Sequence, residues 1–135
     1  MKASELRIGN YVMIKNELLP NYKNQPLIVT SIQQRNDRDF PNSKSVISCY
    51  VDKYNSVSQF DEFIRPIPLT EDIVIDLGLN AVELENGEWF YQNSKFRLNK
   101  NYAGFYYSKN LNIKYVHQLQ NLYFALTGEE LTIKE

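Results

Sequence analysis

The chain has 135 residues, 43% of them hydrophobic and 23% charged, with a net charge of −1; that is enough to bury a core and too balanced to create a protein-wide field for nucleic acid or membrane. The single Cys49 excludes an internal disulfide framework, and no run approaches the roughly 18 apolar residues of a membrane span. Met1-Lys2-Ala3-Ser4-Glu5-Leu6-Arg7 lacks the apolar stretch of a signal peptide, so a reducing, cytoplasmic setting is expected.

One domain is expected, with a β-rich part over 1–68 and a helix–β-meander–helix part over 69–135. Gly9-Asn10 leads into a first strand, Tyr11-Val12-Met13-Ile14. A second is predicted from Leu27 to Gln34, with Ile28, Thr30 and Ile32 on one face and Leu27, Val29 and Ser31 on the other. β-branched and aromatic residues predict a third over 46–51. A fourth is expected over 60–67, where Pro66 and Pro68 confine it to an edge. Short strands between polar loops point to a small SH3-like barrel or curled sheet.

Pro66-Ile67-Pro68 forms a stiff hinge. After it Thr70 is an N-cap, Glu71 and Asp72 favour the first helical turn, and Gly78 ends a short helix whose apolar stripe is Ile73, Val74 and Leu77. Asn86-Gly87 predicts a two-residue hairpin turn pairing Glu85 with Glu88 and Leu84 with Trp89. Alternation then puts Val82, Leu84, Trp89 and Tyr91 on the core face, continued by Phe96 and Leu98, with Lys95 and Arg97 opposite. Phe105-Tyr106-Tyr107 supplies another strand. A helix is expected over 113–127, capped by Asn112 and stopped by Gly128, with Val116, Leu119, Leu122, Tyr123 and Leu126 at helical spacing. The fold class is α+β.

The string Val116-His117-Gln118-Leu119-Gln120-Asn121-Leu122-Tyr123-Phe124-Ala125-Leu126-Thr127-Gly128-Glu129-Glu130-Leu131 resembles the C-terminal signature of a family of small uncharacterised proteins of phages, prophages and mobile elements in Bacteroides-type bacteria. Leu6-Arg7-Ile8-Gly9-Asn10-Tyr11-Val12 and Pro66-Ile67-Pro68-Leu69-Thr70-Glu71 fit the same family. The resemblance implies a genomic setting and carries no catalytic residues with it.

Chemistry-bearing residues are sparse. His117 is the only histidine, and a general base needs a partner and a substrate proton within reach. Cys49 sits in an apolar strand without a neighbour to lower its pKa. One Cys and one His do not make a structural zinc site. Glu83, Glu85 and Glu88 share a hairpin face in the expected register, without the oxygen-rich loop of a calcium site. Scattered glycines form no phosphate-binding fingerprint. No catalytic residue, cofactor or metal is expected, and the chain reads as a non-enzymatic binding protein.

Two partner surfaces follow. Residues 89–127 hold five cations and no Asp or Glu; Lys95, Arg97, Lys100 and Lys109 with Tyr102 and Tyr106 make the pattern of a single-stranded nucleic-acid platform, although the same alternation arises when cations line the wet face of a sheet. The other surface is the His117–Gln120–Asn121–Phe124 side of the C-terminal helix, whose uncharged amides and one aromatic are cheap to desolvate. A protein partner of host or phage, or a second copy in a homodimer, is the first expectation for it. Inhibition of a host defence protein is one version, resting on the genomic setting; nucleic acid is second, and a membrane partner is not expected.

Overall fold

The computed structural model describes residues 1–15, 25–34 and 45–134. The chain divides into two compact units, Met1–Ile67 and Pro68–Glu135, each with a five-stranded antiparallel sheet. The α+β class follows from ten strands and two α-helices among the described residues.

In the first unit β1 (Tyr11–Ile14), β2 (Leu27–Gln34), β3 (Ser45–Asp52), β4 (Asn55–Phe60) and β5 (Ile64–Arg65) lie in the order β4-β3-β2-β1-β5. β1 pairs with β2 through Tyr11 and Val12, and with β5 through Met13 and Ile14. One short strand therefore turns the sheet into a curled half-barrel. Its interior is Val12, Ile14, Leu27, Val29, Ile47, Cys49 and Ile64, the inward set that period-2 alternation demands.

The alternation of β2 breaks once. A register shift between Val29 and Ser31 moves Ile32 to the side of Leu27 and Val29, where it packs on the core. The expected Ile28–Thr30–Ile32 face is thus divided by a bulge, which switches the side-chain phase. The chain reaches β1 through a closed turn: Asn10 is fully buried, and its Oδ1 accepts from the Arg7 amide at 2.7 Å. The Leu6-to-Val12 string therefore does structural work at the mouth of the first sheet.

The fourth strand is corrected in place. It runs Asn55–Phe60, and the stretch expected to be strand over 60–67 is a 3-10 turn at Asp61–Phe63 followed by β5. Asp52 organises the turn into β4: its Oδ1 accepts from the amides of Tyr54 at 2.9 Å and Asn55 at 3.0 Å. The Asn55 side chain, then the Tyr54 amide, hold the Asp52 carboxyl below its ordinary range.

Cys49 is fully buried, and burial pushes its thiol up to about 11. The folded chain thus favours the neutral thiol; that contribution to stability is full below about pH 9 and is lost as pH rises through about 11. At neutral pH the thiolate is ~100-fold scarcer than in an unfolded chain. Alkylation of the native protein should be slower by at least that factor and recover in denaturant. Fast labelling of the native protein would contradict the buried position.

The second unit comprises α1 (Glu71–Asp76), β6 (Asn80–Glu83), β7 (Trp89–Gln92), β8 (Arg97–Asn101), β9 (Gly104–Ser108), β10 (Leu111–Ile113) and α2 (Val116–Thr127). Its sheet is a meander in the order β10-β9-β8-β7-β6. Thr70 caps α1 as expected, its Oγ1 accepting from the Ile73 amide at 3.3 Å, and Val74 and Leu77 are buried. On the core side of the sheet Tyr91 stands opposite Leu98, and Phe105 opposite Ile113; all four are buried. Phe96 stacks on Tyr107 and meets Tyr123 of α2 edge-on.

The hairpin register differs from the expected one. Leu84 hydrogen-bonds to Glu88, and the Gly87 amide donates to the Leu84 carbonyl at 2.9 Å, leaving a three-residue turn, Glu85-Asn86-Gly87. Asn86 Oδ1 accepts from the Glu88 amide at 3.0 Å. Gly87 closes this turn with a positive φ of 84°, as the last residue of a three-residue hairpin loop commonly does. Val82 therefore faces Phe90, Ala81 faces Tyr91 and Glu83 faces Trp89. Trp89, expected in the core, is 39% exposed, while Phe90 is buried on the opposite face beneath the Arg97 guanidinium, 3.8 Å from its ring centre.

The C-terminal helix begins at Val116, not near Ile113. Leu111–Ile113 is spent on β10, so Asn112 is a strand residue rather than a cap. Gln118 does the capping: its Oε1 accepts from the amides of Lys114 and Tyr115. Gly128 ends the helix in the left-handed conformation, φ 75°. The buried face is Val116, His117, Leu119, Gln120 and Tyr123. Leu126, expected on the packed stripe, is 53% exposed. No described helix is long and apolar enough to cross a membrane.

Candidate interaction site

The two partner surfaces read from the sequence fare differently. On α2, His117 and Gln120 are buried and Asn121 is half-buried; Phe124 alone of the four is exposed, at 40%. Gln120 spends its amide inside the unit, with Nε2 donating to the Leu131 carbonyl at 3.0 Å. This corrects the expected contact surface. The reason is the segment after the Gly128 stop: Leu131 is itself buried, and its carbonyl needs a donor at the position Gln120 occupies.

The six nucleic-acid candidates do not form one patch. Lys95 pairs with Glu129, and Lys100 with Glu71, so acids from outside the basic span neutralise two of its cations. The Glu129 hydrogen bond holds the Lys95 ammonium above its usual range; the Lys100 ammonium holds the Glu71 carboxyl below its own. Burial first, then the Glu71 carboxylate, raises the Tyr91 phenol. Arg97 lies over Phe90 and donates from Nε to Asn99 Oδ1 at 3.2 Å. One residue from Leu98 and three from Lys100 on β8, it belongs to the other face of the strand. Tyr106 is half-buried. Lys109 is exposed in the β9–β10 turn, at the end of β9 away from Tyr102.

A different constellation comes together at the β8–β9 end of the sheet. Asn101 pairs with Gly104, and its Oδ1 accepts from the Ala103 amide at 2.9 Å, which holds Tyr102 at the apex of a tight turn, fully exposed. Cross-strand pairing sets Trp89 beside Lys100. Between this turn and the β6–β7 turn is an open recess of about 220 Å³ lined by Gly87, Glu88, Trp89, Lys100, Asn101 and Tyr102. A second recess of about 220 Å³ shares Asn101 and lies toward Leu69, Phe105 and Lys114.

The first recess offers two large rings, one carboxylate and one ammonium already held by Glu71. That is an inventory for contact, with aromatic area and a polar rim, and it has no nucleophile–base pair. Among the described residues no group of three or more His, Cys, Asp or Glu is placed to hold a metal ion. Tyr102 was legible in the sequence as an aromatic among cations. Trp89 was missed because alternation places it on the side of the buried Tyr91 but does not show that it stands at the end of the strand, where it is exposed.

No protein family, curated protein or solved structure matches the chain.

Proposed function

We propose that this chain is a non-enzymatic binding protein that docks on a protein partner through the aromatic end of its second sheet. The observation that carries the reading is the pair Trp89 and Tyr102, both exposed, bordering one recess. Trp and Tyr are enriched at interface centres and among the residues that dominate binding energy. Pairing of Lys95 and Lys100 with carboxylates favours a protein over a phosphate backbone, which draws on uncompensated cations. The resemblance of the C-terminal string supports the setting: an accessory protein of a mobile element in the cytoplasm of a bacterial host, with a host protein, including one of a defence system, as its target.

Single-stranded nucleic acid is the second reading. The same two rings favour it, since bases stack on exposed aromatics without regard to sequence.

For the first unit we infer an SH3-like barrel as the finer fold. Support comes from the strand order, the 3-10 turn leading into β5, and the antiparallel return of β5 to β1.

The test is capture from host lysate by wild type, Trp89→Ala and Tyr102→Ala, with and without nuclease. The expected result is nuclease-resistant protein that both variants lose by about tenfold, as hot-spot truncation of at least 1.4 kcal/mol requires. Tyr102→Ala should leave folding within about 0.5 kcal/mol of wild type. Equal capture by all three proteins, or capture of nuclease-sensitive material alone, overturns the protein-binding reading.

A further inference from the structure

The recess bordered by Trp89 and Tyr102 is unevenly charged. Its one cation, Lys100, is spent on Glu71 of α1. Its carboxylate, Glu88, is exposed, and so are Glu85 in the adjoining turn and Glu83, which stands opposite Trp89 on β6. Among the described residues no Lys or Arg pairs with any of these three glutamates. The sequence explains the imbalance: residues 66–94 hold six acids and no Lys or Arg. The end of the sheet is therefore a negative rim around two exposed rings, and a cation brought there relieves the mutual repulsion of the carboxylates. The electron-rich faces of Trp and Tyr attract a cation to the same place. On the other face of the sheet the chain makes this contact with its own residues, Arg97 over Phe90.

We propose that the recess receives an arginine side chain from a basic segment of the partner protein, stacked against Trp89 and Tyr102 and neutralised by the glutamates around them. This rests on the reading of the recess as the docking site and names the chemistry of what docks. A recess of about 220 Å³ is smaller than the pockets that enclose whole small-molecule ligands, and suits one long side chain. Arginine fits better than lysine. Its planar guanidinium stacks on aromatic faces, and its weaker hydration makes it less costly to take from water.

Short peptides in which glycine alternates with arginine, with lysine or with citrulline test the proposal when titrated into the full chain. Trp89 is the only tryptophan, so its emission and its indole N–H resonance both report on the recess. The arginine peptide should shift both signals saturably and the lysine peptide should bind more weakly. The citrulline peptide, which keeps the shape of arginine without its charge, should have no effect. Glu83→Gln with Glu88→Gln, and separately Tyr102→Ala, should each weaken the arginine peptide about three- to tenfold, the size of an exposed cation–π or ion-pair contact. The melting curve should not move, because all three positions are exposed. No saturable response to the arginine peptide, an equal response to citrulline, or unchanged affinity in either variant overturns the proposal. Lysate capture judges the docking reading separately. Protein that is lost by Trp89→Ala and Tyr102→Ala but kept by the double-glutamine variant upholds docking at the recess and overturns its role in binding arginine.

Discussion

Phe96→Ala should destabilise the second unit by about 3–5 kcal/mol, the range for truncating a buried aromatic ring, while Trp89→Ala costs no more than about 2 kcal/mol because much of its surface is already wet. Phe96 is 6% exposed. Its ring lies 5.4 Å from that of Tyr107 in a near-parallel stack and 5.6 Å from that of Tyr123 at a steep angle. Removing it takes away two aromatic contacts and opens a cavity between sheet and helix. It also loosens Tyr123, whose hydroxyl accepts from Asn93 Nδ2 at 3.0 Å. Trp89 stands at the end of β7 beside Lys100 and the turn. Urea unfolding of the variants, followed by circular dichroism, measures the difference. As the only tryptophan, Trp89 also reports on this unit by its emission, which in the native protein should lie between the buried and fully exposed limits. A larger loss for Trp89→Ala than for Phe96→Ala would mean that Trp89 is the more deeply buried ring of the two.

The second large effect lies on α2. Gln120→Met keeps most of the side-chain volume but removes the donor to the Leu131 carbonyl, and should cost about 1–3 kcal/mol, the penalty for orphaning a buried polar group. Gln120→Ala adds a cavity and should cost about 2–4 kcal/mol. Phe124→Ala, four residues on and 40% exposed, should cost about 1 kcal/mol or less. Thermal melts of the three variants decide the matter. A stable Gln120→Ala protein together with a strongly destabilised Phe124→Ala protein would reverse the assignment of faces. The contrast matters for function, because a partner that gripped this side of the helix would need Gln120 at the surface, and the fold employs it to seat the segment after Gly128.

The ion pairs shape a milder expectation. Glu71 is held below its ordinary range chiefly by Lys100, so its contribution to docking α1 is present above the usual carboxylate range and declines as pH falls through the lowered value. Both partners are partly or largely exposed, which keeps that contribution small.

Local chemistry determined a good part of this protein. Period-2 runs mark β1, β2 and β3 because side chains alternate in any strand. Thr70 and Gly128 mark helix ends because caps depend on neighbours within a few residues. The apolar repeat marks α2. The tertiary structure decided what depends on partners distant in the chain. It selected a three-residue turn after Leu84, and that one-residue change put Phe90 opposite Val82 and Trp89 opposite Glu83; Trp89 stands exposed at the end of its strand. It assigned Leu111–Ile113 to pairing with β9, so α2 starts later, and it set the segment around Leu131 against α2, where Gln120 is inward and Leu126 outward. It also joined Lys95 and Lys100 to carboxylates that lie 34 and 29 residues away, dissolving a basic patch that exists only along the sequence. Register, helix rotation and charge pairing are each set by contacts between segments, and no window of neighbouring residues contains the energy difference that chooses among them.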